Sequence, residues 1–110
     1  MELTLSDLKN ALLTVTDKVY HYTAPKNCDV PYIVWAEDSR YDLVADNVHV
    51  EAGIEGTIDL FTRQENDERM PGIEAVLNSL PIGWYLNSTQ FEEQTELVHF
   101  EWVFRIYGEI

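Results

Sequence analysis

The longest alternating stretch in the sequence, residues 48–63 (VHVEAGIEGTIDLFTR), limits the fold more than any other feature. A period of two residues sorts side chains onto the two faces of a β-strand, whereas a helix would spread them around its circumference. The apolar set contains Val48, Val50, Ala52, Ile54, Ile58 and Leu60, and the opposite set contains His49, Glu51, Glu55, Thr57 and Asp59. The sequence therefore predicts a half-buried β-strand from Val48 to about Thr62, with one apolar and one largely acidic face.

This predicted strand is longer than strands usually are. At roughly 3.3 Å per residue it would extend about 50 Å, more than twice the common length. Gly53 and Gly56 lie near its middle, and glycines inside strands commonly mark bulges, bends or a close approach of two backbones. We therefore expect either one bent strand or two strands, with the break between Gly53 and Thr57.

The segments before the long strand predict a helix, a loop and a short strand. Residues 5–20 (LSDLKNALLTVTDKVY) carry apolar side chains at helical spacing, and Ser6 is the expected N-cap. Pro25 and Pro31 end the helix and introduce a loop, because proline cannot continue a helix. Residues 32–38 (YIVWAED) are rich in β-branched and aromatic side chains and predict a strand. The polar residues 39–47 (SRYDLVADN) then predict a turn.

The segments after the long strand predict a second helix and two further strands. The helix is expected at residues 71–80 (PGIEAVLNSL), with Asn66 or Asp67 as its cap and Pro81 as its stop. A short strand at 82–88, an acidic turn at 90–96 and an alternating strand at 97–107 (LVHFEWVFRIY) follow. This order predicts an α+β fold, with a mainly antiparallel sheet of about four strands and two helices packed on one face. We expect residues 1–110 to form one domain.

The charge of the chain excludes two classes of partner. Twenty acidic and seven basic residues give a formal net charge of -13. Duplex DNA and anionic membranes attract clustered lysine and arginine, which this sequence lacks, so neither sequence-specific nucleic acid binding nor membrane binding is expected. The apolar stretches fall short of the roughly 20 residues that cross a bilayer, and the N-terminus lacks the layout of a signal peptide. We expect a soluble protein that is not exported.

The sequence contains no recognisable catalytic or metal-binding motif. His21, His49 and His99 lack the i, i+4 helical spacing of zinc hydrolases, and pairing with a carboxylate is the ordinary role of a histidine on the polar face of a strand. Cys28 has no second cysteine for a disulfide or a thiolate site, and no serine lies in a G-x-S-x-G turn. Acidic pairs are expected on the surface at this density of carboxylates. We therefore expect no enzymatic activity, no metal and no cofactor.

Several segments together resemble the small tail-terminator or tail-completion proteins of long-tailed bacteriophages and prophages. They are VPYIVWAEDSRYDLVADN, the strand end IDLFTR, the helix IEAVLNSL, and WYLNSTQFEEQTELVHFEWVF. The positions that carry the resemblance are residues 31–34, 45–47, 60–62 and 93–97. The resemblance covers about residues 31–106, which is most of the chain.

The resemblance implies a non-enzymatic assembly protein. Members of that group form rings, typically of six subunits, that sit on the end of the tail tube, stop its polymerisation and offer a surface to the head-tail connector protein. The implied partners are thus other copies of the chain, the tail-tube protein and the connector, and the implied location is the virion tail or neck after assembly in the bacterial host cytoplasm. The alternatives are another neck or minor tail component, or an acidic protein that mimics DNA and inhibits a DNA-binding enzyme.

Two sets of residues are candidates for contacts in such an assembly. A closed head-to-tail ring needs two different complementary patches on every subunit. Aromatic side chains in loops have little core to bury them, so Tyr41 and Phe91 are candidates for contacts at an interface. The candidate subunit or partner interface is Tyr41, Asp42, Asp46, Asn47, Phe91, Glu92 and Glu93. The candidate lumen or exposed sheet face, where acidic side chains would repel DNA, is Glu51, Glu55 and Asp59.

Overall fold

A computed structural model describes residues 3–45 and 48–107, with side chains described at 3–40 and 53–107. Asp46 and Asn47 therefore lie outside the described residues, and Tyr41, Asp42 and Glu51 are described by their backbone alone. The elements are α1 (Leu5–Leu12), β1 (Val19–His21), β2 (Tyr32–Ala45), β3 (Val48–Thr62), α2 (Arg69–Asn78), β4 (Gly83–Glu92) and β5 (Leu97–Tyr107).

The five strands form one sheet in the order β1-β2-β3-β5-β4. The β2–β3, β3–β5 and β5–β4 pairs are antiparallel, and β1 pairs with β2 in parallel. The α+β class is confirmed, and the four predicted strands form the antiparallel part of the sheet. The fifth strand, β1, has only three residues. It was not predicted, because the helical spacing of the preceding apolar residues includes Val19 in the first helix.

The long strand β3 is continuous from Val48 to Thr62, so the alternative of two strands is wrong. The register irregularities lie in its partner β2, between Glu37 and Ser39 and between Leu43 and Val44. Gly56 serves close packing, because a Cβ at this position would overlap the carbonyl oxygen of Ala36 and approach the Phe104 ring to 2.7 Å. The glycine marks a close approach of two strands, which was one of the three roles expected of strand glycines.

Both helices pack on the same face of the sheet. Leu8 and Leu12 from α1, and Ile73 and Leu77 from α2, are fully buried. They join strand residues of one parity in a single core, which contains Ile33, Trp35, Ile58, Leu60, Val98, Phe100, Trp102, Phe104 and Ile106. The opposite side of the sheet, here called the helix-free face, carries the side chains of Tyr32, Val34, Asp59, Phe61, His99 and Glu101 in cross-strand register.

The first helix differs from the prediction at both ends. Thr4, and not Ser6, is the N-cap, because the Thr4 hydroxyl accepts the N–H of Asp7 while the Asp7 carboxylate accepts the N–H of Thr4. The helix ends at Leu12 and not near residue 20. The segment that follows contains threonines and a valine, whose β-branched side chains favour helices less than leucine or lysine does.

The second half of the chain differs mainly in element lengths. The helix α2 begins at Arg69, two residues before the expected start, and ends before Pro81. Asp67 accepts the N–H of Arg69, as expected of a residue that caps a helix start, although Glu68 occupies the N-cap position. The strand β4 extends to Glu92, so part of the predicted acidic turn belongs to this strand and the turn proper covers 93–96. None of the helices in the described part of the chain is long and apolar enough to span a bilayer.

Candidate functional site

Strand register brings Asp59, His99 and Glu101 together on the helix-free face. His99 and Glu101 are two residues apart on β5 and therefore point the same way, and Asp59 on β3 lies directly opposite Glu101. The His99 Nε2 is 2.6 Å from the Asp59 Oδ1. On the other side of the ring, the Nδ1 lies 4.0 Å from a carboxylate oxygen of Glu92. One imidazole is therefore surrounded by three carboxylates.

Neighbouring side chains fix the orientation of the His99 ring. The ring stacks on Phe61 with 4.3 Å between centroids and 20° between planes, and Phe61 stacks on Tyr32 at 4.9 Å. The Asn87 amide donates a hydrogen bond of 2.8 Å to the Oε1 of Glu101. An aromatic row on one side and polar contacts on the other leave His99 few alternative rotamers.

The surroundings of His99 favour its protonated form. The hydrogen bond with Asp59 raises the pKa of His99, burial opposes the change, and the charges of Asp59, Glu101 and Glu92 add to the rise. The net result is a pKa above the ordinary 6.5. The protonated imidazole thus neutralises part of a concentrated negative charge in the middle of the sheet.

Asp59→Asn is expected to lower the pKa of His99 and to remove a pH-dependent contribution to stability. Because the folded pKa lies above the ordinary value, protonated His99 stabilises the fold fully below about pH 6.5, and this contribution is lost as the pH rises through the folded pKa. A cross-strand pair of this kind contributes about 1 kcal/mol. NMR titration of the ring protons, with Glu55→Gln as a control on the same strand, measures the effect. An unchanged His99 titration in Asp59→Asn would contradict this assignment.

A second histidine cluster lies at the end of β1. The His21 ring stacks between Tyr22 and Trp35, at 4.0 Å from each, and its Nε2 is 2.9 Å from a Glu37 oxygen. Burial raises the pKa of Glu37, but hydrogen bonds from the Tyr22 hydroxyl and His21 outweigh it and hold the pKa below its usual value. Sequence reasoning missed this cluster, because it depends on the parallel pairing of a three-residue strand.

The candidate acidic row on β3 is largely paired within its own sheet. The Arg105 Nε donates a hydrogen bond of 2.5 Å to Glu55, and Asp59 pairs with His99. Both partners come from β5, which lies directly beside β3. The side chain of Glu51 is outside the described side chains. Two of the three candidate lumen carboxylates therefore have cationic or protonatable partners, and they do not form a row of free negative charges.

The candidate interface residues fall at opposite ends of the sheet. Phe91 lies opposite Val98, and its side chain is 61% exposed. Glu92 ends β4, and Glu93 begins the following turn. Tyr41 and Asp42 are in β2, where Tyr41 lies opposite Gly53 of β3. Phe91 lies at the level of Thr62 of β3, which is nine residues from Gly53. The structure thus separates the predicted interface residues into two distant groups.

The strand β4 and the end of the sheet near Tyr41 each have a feature that favours association. β4 is an edge strand of the sheet, and three of its large apolar or aromatic side chains are exposed, namely Tyr85, Leu86 and Phe91. Phe91 lies at the end of the sheet, whereas Tyr85 and Leu86 lie nearer its middle. At the other end, the last described β3–β5 pair is Gly53 with Tyr107, while β2 and β3 remain paired as far as Ala45 and Val48. The described β2–β3 pairing therefore extends further than the described β3–β5 pairing, and the molecule measures 50 × 26 × 24 Å.

Comparison with known proteins gives a likeness of fold. No family model and no curated protein sequence matches the chain. Among solved structures, the chain is similar to a chain in the virion of a native gene transfer agent particle, with a TM-score of 0.55 and 14% sequence identity. The likeness covers 91% of this chain and 82% of the other chain. Over nearly its whole length, this protein therefore shares its fold with a chain of that virion.

Proposed function

We propose that this protein is a structural component of a phage-like virion, which forms a ring at the end of the tail tube, terminates the tail and joins it to the head connector. The observation that supports this proposal most is the likeness of fold to a chain of a gene transfer agent virion, over 91% of this chain. The sequence resemblance to tail-terminator proteins supplies the more specific part of the proposal. Its biochemical role is to bind other proteins, and its surface does not serve catalysis.

The two separate surface regions support a ring. Head-to-tail association buries two unlike patches on every subunit, and closure of the rotation gives a ring. One proposed patch is the exposed edge of β4 with Tyr85, Leu86 and Phe91. Edge strands offer unpaired backbone groups to other chains, and proteins usually protect them with charges or proline. β4 has neither over residues 83–91, although a register irregularity between Leu86 and Ser88 divides this edge in two.

The second proposed patch is the far end of the β2–β3 pair, near Tyr41 and Gly53. This end and the end of β4 near Phe91 lie at opposite ends of the sheet, so one copy can contact two neighbours simultaneously. Tyr41 and Asp42 belong to this second patch by the position of their backbone.

The charge pairing on the helix-free face changes the role proposed for the acidic row. A channel wall repels DNA through its net negative charge, and Arg105 and His99 reduce that charge at Glu55 and Asp59. Paired charges suit a contact with a neighbouring subunit, where they give orientation and specificity. We therefore propose that this face packs against another protein, and that any DNA-facing surface lies elsewhere.

The assembly is tested by light scattering and electron microscopy. The purified chain, alone and with a phage tail-tube protein, is expected to form a ring-sized oligomer or to cap tube ends. Phe91→Ser is expected to weaken this association at least tenfold, because a buried aromatic anchor commonly contributes 2 kcal/mol or more at an interface. The matched control is Leu13→Ser, which changes a side chain that is 39% exposed on the C-cap of α1.

Each outcome distinguishes the proposal from its alternatives. A chain that stays monomeric and ignores tube ends, but binds the connector alone, would indicate a neck component. Stoichiometric inhibition of a nuclease by the monomer would instead support a DNA mimic, a reading that rests on the net charge of -13. Equal loss of assembly in the Leu13 and Phe91 variants would show that β4 does not form part of the interface.

A further inference from the structure

We propose that Asp59, His99 and Glu101 form a binding site for a divalent first-row transition-metal ion such as Zn²⁺. Each residue offers one ligand atom, and these three atoms lie within 4.8 Å of one another. The arrangement follows from the sheet, since two ligands are two residues apart on β5 and the third lies opposite on β3. It is built from one imidazole nitrogen and two carboxylate oxygens, which are donors that such ions accept.

The spacing requires only small movements of the side chains. Zinc lies about 2.0–2.2 Å from histidine nitrogen and carboxylate oxygen, so in its tetrahedral geometry two donors to one ion are roughly 3.3–3.6 Å apart. The most distant donors must therefore approach by up to about 1.5 Å, which side-chain rotation can supply. The His99 Nε2 and the Asp59 Oδ1, now 2.6 Å apart, must separate slightly so that the ion replaces the proton between them.

The surroundings already orient the ligands. Stacking on Phe61 fixes the plane of the His99 ring, and Asn87 holds one oxygen of Glu101. Glu92 lies 4.0 Å from the Nδ1 of His99, the nitrogen that would point away from the ion. A carboxylate in that position commonly accepts the second N–H of a metal-bound histidine and thereby orients the ring.

An ion can also reach the site. A surface hollow of about 400 Å³ is lined on one side by Asp59, Phe61 and His99, and on the other by the loop that contains Tyr22 and Pro25. The second histidine cluster offers a useful contrast. His21 pairs with Glu37, but within the described residues only the Asp59 set combines three ligands of this kind at such spacing.

The first experiment is calorimetric titration of the metal-free, chelator-treated intact chain with Zn²⁺, at mildly alkaline pH. We expect saturable binding of one ion per chain. His99→Gln and Glu101→Gln are each expected to weaken binding at least tenfold. Glu101 takes no part in the hydrogen bond between Asp59 and His99, so its variant changes a ligand and leaves that pair intact. His21→Gln is the matched control, because it removes the other histidine of a histidine-carboxylate pair and should keep full affinity.

A second measurement uses the unaltered sequence and does not depend on the folding of any variant. Mn²⁺ broadens NMR signals near its binding site, so the amide signals of residues 59, 99 and 101 should broaden before those of residues 21 and 37. The proposal is overturned if Zn²⁺ shows no saturable binding up to millimolar concentration, if both ligand variants bind like the unaltered chain, or if broadening centres on residue 21. Because the isolated chain is used, these results are independent of ring assembly.

Discussion

Gly56→Ala is expected to lower the free energy of unfolding by about 3 kcal/mol, at the upper end of the usual range for overpacking a core. The added methyl group would overlap the Ala36 carbonyl oxygen, and two atoms of the Phe104 ring would lie 2.7 and 2.8 Å away. Backbone cannot move aside without disturbing the β2–β3 pairing, and Phe104 is fully buried in the core. Neither the backbone nor the Phe104 ring can therefore move to relieve the strain at low energetic cost.

Gly72→Ala is the matched control for this prediction. Gly72 lies inside α2, and a Cβ there would meet only a methyl group of Val15 at 3.7 Å, which is ordinary contact. Alanine favours a helix over glycine by about 0.8–1.0 kcal/mol, so this variant should be more stable than the unaltered chain. Urea unfolding of both variants provides the measurement. Equal stability of the two variants would show that Gly56 is not a point of close strand packing.

Asp67→Ala is expected to lower the free energy of unfolding by about 2–3 kcal/mol, because it removes several bonds to one buried carboxylate. The Asp67 side chain is fully buried. It accepts hydrogen bonds from the Thr62 hydroxyl at 2.5 Å, and from the backbone N–H and the guanidinium of Arg69 at 2.9 Å each. These bonds join the end of β3 to the start of α2. The guanidinium is partly exposed, which keeps the expected loss below that of a fully buried ion pair.

The Asp67 carboxylate should also make the free energy of unfolding depend on pH in the acidic range. Burial raises the pKa of Asp67, but the bonds from Thr62 and Arg69 outweigh it, so that the pKa lies below its ordinary 3.8. The contribution is therefore fully present above the unfolded pKa and is lost as the pH falls through the folded pKa. The stability difference between the unaltered chain and Asp67→Ala should shrink in acid. Glu65→Ala, which removes an exposed acid nearby, is the control variant for this measurement.

The strand periodicities in the sequence were sufficient to predict β3 and β5. Ile54, Ile58 and Leu60 on one strand, and Phe100 and Trp102 on the other, alternate cleanly because one face of each strand is buried. Element ends were predicted less well, since they depend on tertiary contacts. β2 continues through polar residues because β3 pairs with it, and the three residues of β1 become a strand only by pairing with β2.

The contacts of the candidate site could likewise be predicted only in part from the sequence. The type of partner expected for His99, a carboxylate on a neighbouring strand, is what the structure contains. Its identity as Asp59 depends on the register of two strands that are about forty residues apart in sequence, which no local pattern specifies. His99 and Glu101 are two residues apart, which places both on one face of a strand, and this spacing differs from the i, i+4 helical spacing by which zinc hydrolases are recognised.

The place of β5 between β3 and β4 affects the newly made chain. β5 follows both of these strands in sequence, yet it pairs with each of them. Until Leu97–Tyr107 has left the ribosome, β3 lacks its second neighbour and β4 has no strand to pair with in this sheet. Unpaired strand edges recruit other chains. Aggregation should therefore threaten the nascent protein most between the synthesis of β4 and that of β5, and a chaperone that holds the chain during that interval would improve its yield.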